Sequence, residues 1–164
     1  MIIEKIKQVI LIIELPSMRV AAHRVVSAFP EIEANTFIKN AVRKADLNFY
    51  NLRKFGVDIA VSDDEQKMGL RGYEAWVSIP DEVTSVEGVF IRKIPASLYA
   101  TCKVTNPYKS SFDNISNAWI ELHKWVKESN FKSCLNNPNR YMIEEYVRDG
   151  GKLFLQLYYP VSIL

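Results

Sequence analysis

Cysteine and histidine are both scarce in this sequence, with two of each among 164 residues. Cys102 and Cys134 form no C-x-x-C pair, and His23 and His123 stand apart from them. A Cys/His metal site is therefore not expected, nor is any cofactor. Both thiols read as small apolar side chains in a reducing, cytoplasmic setting. Six glycines and seven prolines are too few for a collagen-like or low-complexity chain. Charge of one sign is also missing: 21 basic against 19 acidic residues leave a net charge of +2. No window gathers a phosphate-binding stripe, so nucleic acid is not expected as a direct partner. Long apolar runs are absent too. The run Val9 to Leu15 contains Glu14, ends at Pro16 and leads to no small-residue cleavage site. It falls short of the roughly 20 residues a spanning helix needs, so neither membrane insertion nor a secretory signal is expected. The sequence lacks G-x-G-x-x-G, a P-loop and a G-x-S-x-G elbow. No residue is nominated as catalytic.

What is present is a 48% apolar chain with 12% aromatic residues. At this length folding removes roughly 70% of the unfolded surface from water, enough for a core without staples. A single domain over residues 1–164 is expected.

Lys7 to Leu15 and Met18 to Val26 are short, Ile- and Val-rich, and separated by Pro16-Ser17, which predicts two strands joined by a tight turn. From Pro30 the period changes. Ile32, Phe37, Ile38, Ala41, Val42 and Ala45 recur at helical spacing, with Glu31 and Glu33 near the positive helix end. Phe55 to Ser62 and Gly72 to Pro80 then read as strands around a polar turn, Asp63 to Gly69. The second half repeats the order. Val89 to Ile94 and Leu98 to Val104 read as strands, Phe112 to Glu128 as a helix with Phe112, Ile115, Trp119, Leu122, Trp125 and Val126 on one face, and Tyr141 to Val147 and Lys152 to Val161 as strands.

Pro16-Ser17-Met18-Arg19-Val20-Ala21 lies 79 residues before Pro95-Ala96-Ser97-Leu98-Tyr99-Ala100, and Ile79-Pro80 lies 80 before Tyr159-Pro160. An internal duplication accounts for both. The expectation is an α+β fold of two β-β-α-β-β halves, about 5–82 and 88–164, related by a pseudo-twofold axis. Antiparallel sheets would then form a central groove with two flanking helices, and such clefts are default ligand sites.

Alternation along Gly72 to Pro80 puts Glu74, Trp76 and Ser78 on one face and Tyr73, Ala75, Val77 and Ile79 on the other. In Tyr141 to Val147 it puts Met142, Glu144 and Tyr146 together, opposite Ile143 and Glu145. Each strand thus sets an acid beside an aromatic ring. Aromatic faces attract cations by roughly 0.5–1 kcal/mol when exposed and 2 or more when desolvated. A carboxylate at the base of such a pocket would select positive charge. His23 and His123, the Asp63-Asp64-Glu65 run and the basic region Lys39, Arg43, Lys44, Arg53 and Lys54 read as structural or solvated.

Ile94 to Ala100, Trp119-Ile120-Glu121-Leu122-His123-Lys124-Trp125, the Glu144-Glu145-Tyr146 strand and the closing Tyr158-Tyr159-Pro160-Val161 together resemble the gyrase-inhibitor-like effector-binding domain of AraC-type and MerR-type regulators. Gly72-Tyr73-Glu74-Ala75-Trp76 is most similar to its free-standing, integron-associated branch. The resemblance covers nearly the whole chain. It implies a duplicated fold, an SHS2-type repeat, whose groove binds lipophilic cations or other small molecules around a buried Glu. It places Glu144 at the acidic position of the family's E-x-Y strand and Glu74 at that of the Tyr-Glu-x-Trp strand. Trp76, Trp119 and Tyr146 become aromatic walls. The ligand expected is cationic and partly aromatic, with a transcription regulator or other protein as a further partner. No helix-turn-helix precedes the first strand, so direct transcriptional control by this chain alone is not expected. Two rival functions stand beside ligand binding: hydrolysis of electrophilic small molecules by the same Glu and Tyr, and inhibition of a larger protein through the surface.

Overall fold

The computed structural model describes residues 8–108 and 112–164. The predicted strand start at Lys7, the start of the first half near residue 5 and the side chain of Phe112 lie outside what is described. In chain order the elements are β1 (Leu11–Leu15), β2 (Met18–Ser27), α1 (Pro30–Lys44), a 3-10 turn (Phe49–Asn51), β3 (Lys54–Ile59), α2 (Asp63–Lys67), β4 (Arg71–Ser78), β5 (Phe90–Ile94), β6 (Ser97–Thr105), α3 (Phe112–Glu128), β7 (Phe131–Ser133), β8 (Ile143–Asp149) and β9 (Lys152–Ile163). The fold is α+β, and every strand pair with a defined register is antiparallel.

The chain divides into two compact units. One comprises Pro16–Ala96 and Ile143–Tyr146; the other comprises the chain up to Leu15, Ser97–Met142 and Val147–Leu164. In the first, here unit A, the strand order is β8-β3-β4-β2-β5. Its helix α1 begins with Pro30, whose missing N–H is not needed in a first turn, and has Glu31 and Glu33 at its start and Arg43 and Lys44 at its end. Asp46, at φ 59°, turns the chain out of the helix. Ala34, Ile38 and Val42 press onto Ala21, Tyr73, Ala75 and Val77 of the sheet. Ile32, predicted on this apolar face, is 69% exposed, and Phe37 at its margin instead stacks on the His23 ring with centroids 3.8 Å apart.

In the other unit, here unit B, β6 lies between β1 and β9, and β7 pairs with the end of β9. The register sets Ala100 opposite Tyr159, Cys102 opposite Leu157 and Val104 opposite Leu155. All six are buried, as are Leu122 and Val126 of α3, which packs on β6 and β9. Cys102 and Cys134 are free. Burial pushes the Cys102 thiol up to about 11, so it behaves as an apolar side chain.

Two expectations are corrected. The segment Asp63 to Gly69 contains a short helix, α2, because Ser62 and Glu65 close a reciprocal capping box around its first turn. The predicted hairpin of the first two strands does not form. Leu15 of β1 pairs with Ser97 of β6, and Met18 of β2 pairs with Ile94 of β5. A two-residue hairpin loop needs positive φ, supplied by Gly, Asn or Asp; Pro16-Ser17 offers neither residue type nor dihedral. The two pairs are spaced by the sequence repeat itself, since Leu15 and Ile94, like Met18 and Ser97, are 79 positions apart. The first strand of each repeat has been exchanged.

Candidate functional site

β4 is buried from Gly72 through Val77, on both of its faces. One face lies under α1. The other carries Glu74 and Trp76, with Phe55 and Ala22 flanking the indole by register and Val57 and Arg24 flanking the carboxylate. Glu74 is 2% exposed. Its Oε1 accepts the Trp76 indole N–H at 2.8 Å, and its Oε2 accepts from Arg24 Nε at 2.8 Å and Arg92 Nη2 at 3.2 Å. Arg92 Nε also lies 2.6 Å from Oε1, close enough for an ion pair but not aligned as a hydrogen bond. Burial pushes the Glu74 carboxyl up. The bonds from Trp76, Arg24 and Arg92, with the Arg92 charge, outweigh that and hold it below the ordinary carboxylate value. The two arginines differ from their partner in one respect. Their side chains remain 43% and 35% exposed while that of Glu74 is 3% exposed.

A second buried acid occupies the same face. Glu145 stands opposite Phe55 and is held by both arms of Arg53, Nε to Oε1 at 2.8 Å and Nη2 to Oε2 at 2.9 Å. The Arg53 guanidinium lies over the Phe55 ring, 5.0 Å from its centroid. Arg53, expected in a solvated basic region, is thus part of this face. Within unit A the face carries two carboxylates and three guanidinium groups.

Glu144 and Tyr146 lie on the opposite face, because β8 alternates and Glu144 pairs with Gly56 while Tyr146 pairs with Lys54. The structure therefore brings Glu74 together with Trp76, and Glu144 with Tyr146, and sets the two pairs on opposite sides of one sheet. Tyr146 meets the Tyr73 hydroxyl at 2.6 Å. Burial drives the Tyr73 phenol far above its usual range, so it stays protonated. Its ring lies over Gly56, where a Cβ would come within 1.6 Å of the hydroxyl oxygen. Beside this pair is a cavity of about 250 Å³ lined by Ile38, Lys39, Phe49, Lys54, Val77 and Tyr146 among others. Trp119 belongs to α3 in unit B and is half-buried.

The two histidines each meet an aromatic side chain. Burial lowers the pKa of His23, keeping it neutral against Phe37, while His123 Nδ1 is 2.7 Å from the Tyr159 hydroxyl, which also meets Ser133 Oγ at 3.0 Å. Among the described residues no group of His, Cys, Asp and Glu could hold a metal ion, and no helix is long and apolar enough to cross a membrane. Sequence reading missed Arg24, Arg92 and Glu145. Alternation placed Glu145 opposite Glu144, but only the pairing register shows that it shares a face with Glu74.

A family model described as Cass2, integron-associated effector binding protein, matches residues 11–161. No curated protein matches the sequence. Among solved structures, the chain is similar to EcmrR in its complex with DNA, with a TM-score of 0.73 and 20% identity over 98% of this chain and 60% of that one. The chain thus spans about 60% of that EcmrR chain. The EcmrR C-terminal domain is similar at TM-score 0.70 and 19% identity, over 96% of this chain and 99% of that one. SAV2435, solved bound to tetraphenylphosphonium, is similar at TM-score 0.57 and 13% identity, over 93% of each chain. At these identities the likeness is one of fold.

Proposed function

The chain belongs to the integron-associated effector binding proteins, and from that premise we propose that its effector is a lipophilic, partly aromatic cation held by Glu74 against Trp76, in a single effector-binding domain. One observation carries this reading: a carboxylate 2% exposed whose counterions are arginines still reaching into solvent. A buried charge is tolerated only while paired. Arg24 and Arg92 can return to water without leaving the chain, whereas Glu74 cannot leave its strand. A guest cation that replaces them keeps the carboxylate paired and adds apolar contact with Trp76 and Phe55. Tetraphenylphosphonium, found on SAV2435, has the required charge and ring surface. Glu144 and Tyr146 lie on the opposite face of the sheet, so Glu144→Gln is expected to leave tetraphenylphosphonium binding unchanged, and Trp119→Phe joins the series to assign the quenching signal. A transcription regulator belongs to this reading as a further proposed partner; EcmrR, of similar fold, was solved in a complex with DNA.

Titration of tetraphenylphosphonium against intrinsic tryptophan fluorescence tests it. Saturable quenching is expected, and Glu74→Gln should weaken the cation by about tenfold, equivalent to about 1.4 kcal/mol. Triphenylphosphine oxide, a neutral guest of related shape, should be little affected. Arg92→Ala removes a competitor for the carboxylate and should tighten the cation. Equal loss of both guests in Glu74→Gln would remove the charge argument, and absence of quenching would overturn the proposal.

A further inference from the structure

We propose that the cavity on the opposite face of the unit A sheet is a second small-molecule site, and that it takes a single-ring aromatic carboxylate. The cavity lies between α1 and the β3–β8 pair. Ile38 and Val77, each 1% exposed, make an apolar floor, and Phe49 forms a wall. Two ammonium groups gather over that one ring, Lys39 Nζ at 5.8 Å and Lys54 Nζ at 4.9 Å from its centroid. Like charges drawn to one ring repel each other, and an anion seated between them turns that repulsion into two attractions. Lys54 is anchored by donating to the Leu52 carbonyl at 2.7 Å, so its charge is held in place rather than swept through solvent.

The electrostatic balance favours the same guest. Glu144, diagonal to Lys54 across the β3–β8 pair, brings one negative charge near the cavity, while Asp58, farther along β3 on the same face, stands 4.0 Å from Arg71. Lys39 and Lys54 bring two positive ones, and Arg43, one turn farther along α1 and bonded to the Tyr50 hydroxyl at 3.0 Å, brings a third. Tyr146 adds a hydroxyl on the rim. Size sets the rest: about 250 Å³ is below the roughly 300–1,000 Å³ of sites for drug-sized ligands, leaving room for one ring but not for four. The site therefore differs from that of Glu74 in face, in charge preference and in the size of its guest, and does not rest on it.

The test uses the full chain and three single-ring probes of similar size, benzoate, benzamide and benzylammonium, followed by calorimetry and by the methyl resonances of Ile38 and Val77. Benzoate is expected to saturate at least about tenfold below benzamide, with shifts confined to those methyls, and benzylammonium to leave them unmoved. Lys39→Gln and Lys54→Gln should each weaken benzoate several-fold while leaving tetraphenylphosphonium binding unchanged. Glu74→Gln should do the reverse. Raising ionic strength from about 0.05 to about 0.5 M should weaken benzoate, since the charges are partly solvated. Lys39 sits half-exposed on a helix, so Lys39→Gln leaves the fold intact and reads charge alone. Equal affinity for benzoate and benzamide, indifference to both lysine changes, or displacement of benzoate by saturating tetraphenylphosphonium would each overturn the proposal. Failure of tetraphenylphosphonium to bind, with benzoate behaving as described, would sink the Glu74 reading alone.

Discussion

At the scale of single residues, Glu74 couples stability to pH. Its carboxyl is held below the ordinary value of 4.5 in the folded protein, so the stabilisation from its ion pairs is complete above that value and drains away as pH falls through the lower folded one. Glu74→Gln should therefore lie furthest below wild type in urea stability near neutrality, and the gap should narrow in acid. A gap that stays constant from about pH 6 to about pH 3 would show that the carboxylate's charge is not what stabilises the fold. Gly56 gives a second prediction. An added methyl would meet the Tyr73 hydroxyl at 1.6 Å and the ring carbon behind it at 2.3 Å, so Gly56→Ala should cost about 1–3 kcal/mol or more through overpacking, read as a lower urea midpoint with an unchanged slope. The acids and rings of the site were legible because period-two alternation assigns faces within one strand. Their counterions were not. Arg24, Arg53 and Arg92 reach Glu74 and Glu145 from 18 to 92 positions away in the chain, and no local pattern encodes the sheet register that brings them together.

At the scale of elements, local rules predicted α1 and α3 well, since a helix's hydrogen bonds and its apolar stripe are written within a few turns of chain. The short helix α2 depends on the same kind of local chemistry. Ser62 Oγ accepts the Glu65 N–H while Glu65 Oε2 accepts the Ser62 N–H. Ser62→Ala should cost about 1 kcal/mol locally and speed amide exchange across Asp63–Lys67 without touching β3 or β4; unchanged exchange there would mean that packing, not capping, holds the turn. Strands offered less. The Ile- and Val-rich runs marked β1 and β2, and the Pro-Ser break between them was legible, but a strand's hydrogen-bond partner is chosen by the rest of the sheet. Neighbours in sequence became neighbours of other strands.

At the scale of the whole molecule, the exchanged strands make a prediction of their own. β1 pairs with the first half of β6, so deleting the chain through Leu15 should expose amides within Ser97–Thr101 to exchange while β2 and β4 keep their protection. Loss of protection in β2 instead would restore the hairpin. By itself the sequence determined the α+β class, the repeat, the two helices and which side chains share a strand face, because each follows from spacing within a few residues and from the duplicated pattern. Tertiary structure alone decided which strand pairs with which, that Glu74 and Glu144 look out from opposite faces of one sheet, and that the buried acids arrive already paired with arginine. The physical reason is that burial and charge pairing are settled by non-local register, and a carboxylate's partners are whatever the folded sheet brings within about 3 Å.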